Sequence, residues 1–170
     1  MTNVAKGLML FGALLLCFGI YFIASALSSK SWDQVQGKII STKTPASLST
    51  TGSATQRHLV YRVEATYQYD YNDKNYTNNY FSKGSGFSVE GGFNKASEAR
   101  DWLKNSDYAT GKTVTVFVNP DNPEETVLSS GINIGTIMPI ILGLLFFSLG
   151  FFLKRFDPAL TKQNNQKANG

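Results

Sequence analysis

The amino-acid sequence predicts an α+β protein in which two long apolar helices flank a small antiparallel β-rich domain. Two segments without a charged residue, 7–29 and 131–153, each reach the length of about 20 residues that a helix needs to span a bilayer core. Between them, residues 59–71 alternate in polarity, as an antiparallel strand with one buried face does. We therefore expect about five strands and one helix within residues 30–130.

The first apolar segment follows a short N-terminus, residues 1–6, and contains the only cysteine, Cys17. Its alternative interpretation is a cleaved signal peptide, because Ala24–Ala26 reads Ala-Ser-Ala and resembles a signal-peptidase site. The apolar region of a signal peptide is usually only about 7 to 15 residues long. Residues 7–29 exceed that length, so we expect a retained transmembrane helix.

The first half of the domain is predicted to contain a hairpin. Residues 59–71 form its long strand, residues 72–75 a turn and residues 76–81 the returning strand. A weaker strand over 33–44 is supported by its β-branched side chains. Residues 45–57 are small and polar, and we expect them to form a mobile loop.

The one helix expected in the domain covers residues 94–106. Asn94 is a suitable N-cap for it. One face of this helix collects apolar residues at helical spacing, namely Ala96, Ala99, Trp102 and Leu103. The preceding residues 83–93 are rich in glycine and are expected to be irregular.

A strand over 113–118 is predicted to close the domain. The two prolines in residues 119–125 lack a backbone N–H and hold the residues before them extended, which ends the strand in a defined turn. Beyond the turn, residues 126–128 can pair again. Only Ser129 and Ser130 then separate the domain from the second apolar segment, so helices follow directly at both of its ends.

The net charge of +4 comes from the two ends of the chain. Residues 30–130 carry 11 basic and 11 acidic side chains, whereas Lys6, Lys154 and Arg155 flank the apolar segments and 154–170 is a basic tail. Positively charged flanks usually stay in the cytoplasm, so we expect both termini there and the domain outside. The neutral domain also lacks the surplus of basic residues that nucleic-acid binding requires.

Few residues suit catalysis, so no catalytic site, cofactor or metal is predicted. His58 is the only histidine, and Cys17 lies in an apolar helix, which leaves no Cys–His set for a metal. Gly111–Thr113 reads Gly-Lys-Thr, but a strand rather than a helix should follow, which excludes a phosphate-binding loop. A hydrolase that uses His58 with a loop serine or carboxylate is the least favoured alternative.

Tyrosines concentrate on the predicted hairpin and supply a candidate binding surface. Aromatic surfaces of this kind bind glycans, peptides or bases, although cross-strand packing in a core is the more common reason for such a pattern. The residues considered for contact with a ligand or partner protein are Tyr67, Tyr69, Tyr71, Tyr76 and Tyr80.

Gly131 and Gly135 form a Gly-x-x-x-Gly pattern at the start of the second apolar segment. Small residues at this spacing let helices approach closely. The pair is therefore the candidate helix–helix contact, and a homodimer through it is one expected arrangement. Neither apolar segment contains an ionisable residue, which argues against an ion or proton pathway within one chain.

The order of these segments resembles domain-of-unknown-function family 3592, a group of mostly bacterial membrane proteins. The resemblance extends from about Trp32 to the second apolar helix. Its most specific parts are the Trp-x-x-Val-x-Gly opening at Trp32–Gly37 and the strand that runs into Asn119-Pro120 and Asn122-Pro123. It implies a bacterial membrane protein of this architecture, and it implies neither an activity nor catalytic residues.

These features together predict a non-enzymatic integral protein of the bacterial inner membrane, whose periplasmic or extracellular domain is an interaction or binding module of the cell envelope. The expected partners are the lipid bilayer and another membrane or envelope protein. The alternative is an accessory subunit of a transporter or envelope-assembly complex that docks through its helices. A soluble fragment of residues 31–130 should retain the partner in the first case and lose it in the second.

Overall fold

The computed structural model describes residues 2–49 and 57–168, with side chains for 3–49 and 57–155. Contacts between residues divide the chain into two compact units. One unit contains the two apolar helices, and the other, residues 25–133, is the β-rich domain.

Over its described residues, the domain is a single antiparallel sheet of seven strands with one helix, which confirms the predicted α+β class. A 3₁₀ turn at Ser29–Ser31 precedes the sheet. In chain order the elements are β1 (Asp33–Lys43), β2 (Ala46–Leu48), β3 (Leu59–Tyr71), β4 (Lys74–Asn78), β5 (Ser88–Phe93), α2 (Ala96–Lys104), β6 (Thr113–Val118) and β7 (Thr126–Val127).

Strand β3 is the centre of the sheet. Along one edge it pairs with β1 and then with β2, and along the other edge with β4 and then with β5. Strand β6 pairs with the other edge of β1, and β7 pairs with the end of β6. The alternation that predicted β3 is confirmed, because Val63, Ala65, Tyr67 and Tyr69 are all buried.

The buried faces of β1, β3 and β6 form the core of the domain. Its members are Ile39, Ala65, Tyr67, Tyr69, Val114, Val116, Val118 and Leu128. Gly37 lies where β1 crosses this core, and a Cβ atom there would come within 2.6 Å of a Val116 methyl group and 3.0 Å of the Gln68 carbonyl oxygen. Close approach of β1 to its two neighbours therefore requires glycine at this position.

The sheet curls until its two outer edges meet at Phe81. The carbonyl oxygen of Phe81 accepts hydrogen bonds of 2.9 Å from the backbone N–H groups of both Leu128 and Ser129. Phe81 follows β4, and these two residues follow β7, so the bonds join opposite sides of the sheet. At this point the sheet therefore presents fewer unpaired backbone N–H and C=O groups to solvent than an open edge would.

Strands β2 and β5 lie in segments that were expected to lack regular structure. Strand β2 continues the edge begun by β1, in register from Ala46 opposite Tyr61 to Leu48 opposite Leu59. Strand β5 pairs with β3 through two irregularities, and Gly92 takes a φ of +83° beside them. Backbone pairing to an existing strand therefore overrides a weak local preference. Residues 50–56 of the expected mobile loop lie outside the described residues.

The β3–β4 hairpin turns over two residues rather than the four expected. Asn72 and Asp73 have φ values of +50° and +59°, as a type I′ turn requires at both central positions. Strand β4 then ends at Asn78, earlier than predicted. The Asn78 side-chain oxygen accepts bonds from the N–H groups of Asn79 and Tyr80, which turns the chain away from β3.

Helix α2 has the predicted apolar face but not the predicted cap. Ala99 is fully buried and Trp102 is half-buried, with its ring 6.1 Å from the ring of Phe93. The N-cap position is Lys95 rather than Asn94, and the Lys95 side chain makes no capping hydrogen bond.

The other unit consists of α1 (Thr2–Ser28) and α3 (Ile134–Ala168), and both helices are long and apolar enough to cross a membrane. They run antiparallel and approach closely at glycines. A Cβ atom on Gly12 would lie 2.5 Å from the Phe147 nitrogen, and one on Gly143 would lie 2.9 Å from the Leu16 nitrogen. The buried residues recur every seven positions, as Ala5, Gly12 and Gly19 on α1 and Thr136, Gly143 and Gly150 on α3.

Candidate functional site

The proline-rich turn between β6 and β7 is held in one shape by its own backbone. Glu125 accepts a bond of 3.0 Å from the Asn119 N–H, and its own N–H donates at 2.9 Å to the Asn122 carbonyl oxygen. The Asn119 side chain reinforces the turn, since its amide donates to the Glu125 carboxylate at 2.7 Å and its oxygen accepts from the Asp121 N–H at 3.1 Å. These hydrogen bonds therefore give the turn a defined conformation.

Two buried tyrosines fasten this turn to the core. The Tyr67 hydroxyl donates to the Tyr80 carbonyl oxygen at 2.9 Å and forms a second hydrogen bond, of 2.8 Å, with the Thr126 hydroxyl. The Tyr69 hydroxyl donates to the Pro123 carbonyl oxygen at 2.7 Å. Burial raises the pKa of both phenols above its ordinary value of 10.0, so they stay neutral and keep these bonds at physiological pH.

Lys83 ties the turn to the segment that follows α1. Its ammonium forms an ion pair with Glu125 and lies 5.2 Å from the ring centre of Trp32 and 5.9 Å from that of Tyr80. The bond from Lys83 is the largest of the effects that lower the pKa of the Glu125 carboxyl, and a bond from Asn119 adds to it, against the opposing effect of burial. Glu125 is therefore held ionised by these contacts.

A cavity of about 340 Å³ opens beside the turn, within the range of about 300 to 1,000 Å³ typical of small-molecule sites. It lies between the end of β4, the loop that follows it and the proline-rich turn. The residues that line it are Asn78, Tyr80, Lys83, Phe87, Asn122, Glu124, Glu125 and Thr126.

Several groups in this cavity are available to a ligand. The Phe87 ring is half exposed and stands edge-to-face against Tyr80, with ring centres 5.3 Å apart. Among the described residues, the Tyr80 hydroxyl and the side chains of Asn122 and Glu124 make no hydrogen bond. By contrast Asn78 is engaged, because its amide donates to the Glu124 carbonyl oxygen at 2.8 Å. The open groups are therefore one amide, one carboxylate, one phenol and an aromatic surface.

A second cavity, of about 570 Å³, lies at the end of α2 and is lined by residues 105–108 with Asp101 and Trp102. Its polar groups are mostly occupied locally. The Ser106 hydroxyl donates to the Leu103 carbonyl oxygen, and Asp101 pairs with Lys104 at 3.3 Å. We regard the cavity beside the proline-rich turn as the better candidate, since more of its groups are unengaged.

The five tyrosines singled out from the sequence do not share one surface. Tyr67 and Tyr69 lie in the core, and Tyr76 stacks on Tyr69 with ring centres 5.5 Å apart. The Tyr71 hydroxyl donates to the Asp33 carboxylate at 2.6 Å. Only Tyr80 lines the cavity, so contact with a ligand stays a prediction that the geometry makes most direct for this residue.

The remaining candidates lie elsewhere. His58 is exposed just before β3, and its carbonyl oxygen accepts from the Ser49 N–H at 2.8 Å. Gly131 lies in the domain, ahead of α3, with a φ of +90°, whereas Gly135 is the second residue of that helix. The described part of the chain contains no group of three potential metal ligands.

Sequence reasoning did not single out Lys83, Phe87, Asn122 or Glu124. They come from two segments about forty residues apart, and the Asn122-Pro123 motif of the second indicates the end of a strand rather than a binding site. The one available signal was Phe87, a large apolar residue in a glycine-rich stretch where no regular element would bury it.

A family model described as a domain of unknown function (DUF3592) matches residues 35–133, which contain every residue that lines the cavity. No curated protein matches the chain.

Proposed function

The chain belongs to the DUF3592 family of domains of unknown function, and we propose that it is an integral membrane protein whose domain binds a component of the cell envelope. The observation that carries this proposal is the cavity beside the proline-rich turn. Its walls are fixed by buried hydrogen bonds, yet among the described residues the Asn122 side-chain amide, the Glu124 carboxylate and the Tyr80 hydroxyl make no hydrogen bond, and Phe87 is half exposed. A rigid concave site with a few open polar groups is typical of ligand binding.

A binding role fits these side chains better than a catalytic one. A general acid needs a carboxyl group whose pKa is raised, so that it carries a proton at neutral pH. The pKa of Glu125 is instead lowered by Lys83, and His58 does not line the cavity. We therefore propose that the protein is not an enzyme.

The proposed location is a bacterial inner membrane, with both termini in the cytoplasm and the domain on the opposite side. Two helices that are long and apolar enough to span a bilayer support it. Basic residues also flank the apolar segments at the ends farther from the domain in the sequence, Lys6 before the first segment and Lys154 after the second.

Labelling of single cysteines tests this topology. In a Cys17→Ser background, Asp121→Cys on the turn should react with an impermeant maleimide in spheroplasts. The matched Lys6→Cys variant should react only after the membrane is permeabilised. The reverse pattern would place the domain in the cytoplasm and contradict the proposed location.

Cross-linking of the full-length protein in its native membranes, followed by affinity capture and mass spectrometry, tests the binding role. We expect an envelope component to be captured by the parent protein and lost with Phe87→Ala. Capture that survives this change but is lost when the outward faces of the helices are altered would instead indicate an accessory subunit that docks through its helices. Recovery of the protein alone would contradict both roles.

A further inference from the structure

We propose that the cavity beside the proline-rich turn binds an uncharged sugar ring, as a terminal or internal unit of an envelope saccharide. This inference rests on the binding role proposed above and specifies the ligand class. Three properties of the cavity carry it, namely its aromatic surface, its charge and the kinds of hydrogen-bonding groups that are open.

The aromatic surface suits the apolar face of a sugar ring. Phe87 is half exposed, and Tyr80 holds it edge-to-face at 5.3 Å between ring centres. A pyranose presents several C–H groups on one face, and these pack against the electron-rich face of an aromatic ring. Phe87 therefore presents a half-exposed aromatic ring in the lining of the cavity, where a ligand can reach it.

The charged groups of the cavity disfavour anionic ligands, and the position of Lys83 limits the aromatic surface that is open to an organic cation. Among the described residues, the one cation that lines it is Lys83, which is paired with Glu125 and whose side chain is only 15% exposed. A phosphate or carboxylate would therefore meet the Glu124 carboxylate without a free cation to balance it. An organic cation would be attracted by Glu124, but it would share the Tyr80 ring with the Lys83 ammonium, which lies 5.9 Å from the ring centre and repels it.

The open hydrogen-bonding groups match hydroxyl groups. A sugar hydroxyl both donates and accepts. The Asn122 amide offers two donors and an acceptor, the Tyr80 phenol offers one donor and an acceptor, and the Glu124 carboxylate accepts. These groups line a cavity of about 340 Å³, at the small end of the usual range, which suits one ring better than a long segment.

Saturation-transfer NMR on the full-length protein in nanodiscs tests the proposal. The probes are the methyl glycosides of glucose, galactose, mannose and N-acetylglucosamine, with tetramethylammonium and glucuronate as charged probes. We expect at least one uncharged glycoside to bind in the millimolar range common for single sugar units, and neither charged probe to displace it.

Four variants locate the site. Phe87→Ala and Asn122→Ala should each weaken glycoside binding by about tenfold or more, equivalent to about 1.4 kcal/mol. Phe117→Ala removes another aromatic ring that does not line the cavity, and Asp121→Asn alters an exposed residue on the same turn. Both should bind as the parent does. Tryptophan fluorescence melts of every variant show that the domain is folded.

Several outcomes would overturn the proposal. No binding of any uncharged glycoside, binding that Phe87→Ala and Asn122→Ala leave unchanged in folded protein, or preferential binding of tetramethylammonium would each do so. The binding role itself stands apart from these results. If an envelope protein is captured in a manner that depends on Phe87 while no glycoside binds, the sugar proposal fails and the binding role remains.

Discussion

Tyrosine residues of β3 act mainly through their hydroxyl groups, which reach across the core to a turn that is distant in sequence. The Tyr67 hydroxyl is buried between the Tyr80 carbonyl oxygen and the Thr126 hydroxyl, whereas the Tyr71 hydroxyl meets Asp33 at the surface. Loss of the Tyr67 hydroxyl should therefore lower the free energy of unfolding more than loss of the Tyr71 hydroxyl. An unsatisfied polar group costs most free energy where water cannot replace its partner.

Tyr67→Phe should lower the free energy of unfolding by about 1–3 kcal/mol, since it removes the hydroxyl that bonds to both the Tyr80 carbonyl oxygen and the buried Thr126 hydroxyl. Tyr71→Phe is the matched control and should change the free energy by no more than about 0.5 kcal/mol. Both tryptophans of the chain, Trp32 and Trp102, lie in the domain, so their fluorescence during urea titration measures its unfolding. Equal effects of the two changes would show that the buried bonds do not hold the turn.

Glu125 should make the domain sensitive to acid. Its pKa is lower in the folded protein than in the unfolded chain, so the ionised carboxylate stabilises the fold above the ordinary value of 4.5. That contribution is lost as the pH falls through the lower, folded value. The melting temperature should therefore fall more steeply below about pH 4.5 in the parent than in Glu125→Gln.

Glu124→Gln is the control for this measurement, because the adjacent carboxylate is exposed and makes no ion pair with a described residue. It should keep the pH dependence of the parent. A Glu125→Gln protein that melts along the same pH curve as the parent would exclude the Lys83–Glu125 pair as the acid-sensitive contact.

At the scale of elements, the close contact of α1 with α3 depends on small residues at every seventh position. Gly12 and Gly19 on one helix meet the backbone or side chains of Phe147 and Ile140 on the other. A seven-residue spacing corresponds to 3.5 residues per turn, the period of left-handed helix pairs. The remaining, larger apolar side chains are free to face outward.

Gly12→Leu should separate the two helices, because even a Cβ atom at this position would lie 2.5 Å from the Phe147 nitrogen. Gly7→Leu is the matched control, since a Cβ atom there has no neighbour within 4 Å. Pyrene maleimide on Phe11→Cys and Phe146→Cys, whose native rings lie 5.2 Å apart, reports proximity by excimer fluorescence in a Cys17→Ser background. The excimer signal should fall with Gly12→Leu and persist with Gly7→Leu. Persistence in both would contradict the glycine contact.

Local pattern was sufficient to predict some of these elements and insufficient for others. The alternation of residues 59–71 and the apolar face around Ala99 identify β3 and α2, because in each of them the buried residues recur with the period of the element itself. Strands β2 and β5 have no such signal, since they exist through backbone pairing to β3. The glycine spacing on α1 does not by itself predict the contact with α3, because a glycine in an apolar segment is compatible with a membrane span whichever neighbour it faces.

The candidate site was harder to predict than the fold. Tyr80 was among the residues proposed from the sequence, but Phe87 and Asn122 were not. Their proximity depends on the curl of the sheet, which brings the segment after β4 to the segment after β7 through the Phe81 carbonyl oxygen. No property of either segment alone specifies that closure.

At the scale of the whole molecule, hydrogen bonds hold the first and last residues of the domain in place. The Ser29 hydroxyl is buried, donates to the Ala26 carbonyl oxygen at 2.7 Å and accepts from the Gly131 N–H at 3.1 Å. Two residues after Gly131, the Asn133 amide donates to the Ser82 hydroxyl at 2.8 Å. The segments that lead to the two apolar helices are therefore bonded within the domain itself.

Ser29→Ala should loosen this junction, since it leaves the buried Gly131 N–H without an acceptor, at a cost of about 1–3 kcal/mol. Ser28→Ala and Ser31→Ala are matched controls, because their exposed hydroxyls bond only to the preceding turn. The measurement is the rate of limited proteolysis near residues 128–134 in nanodiscs. It should rise several-fold for Ser29→Ala alone, and a rise common to all three variants would refute the role of this bond.

The bond between Ser29 and Gly131 also means that the two ends of the domain lie side by side. A folded unit with adjacent ends can be cut out of one chain and inserted into a surface loop of another without stretching either partner. It can equally be joined end to end and reopened elsewhere, for example at the Asn72–Asp73 turn, as a circular permutant. The positions of its two ends would therefore allow the domain to be inserted between a different pair of helices.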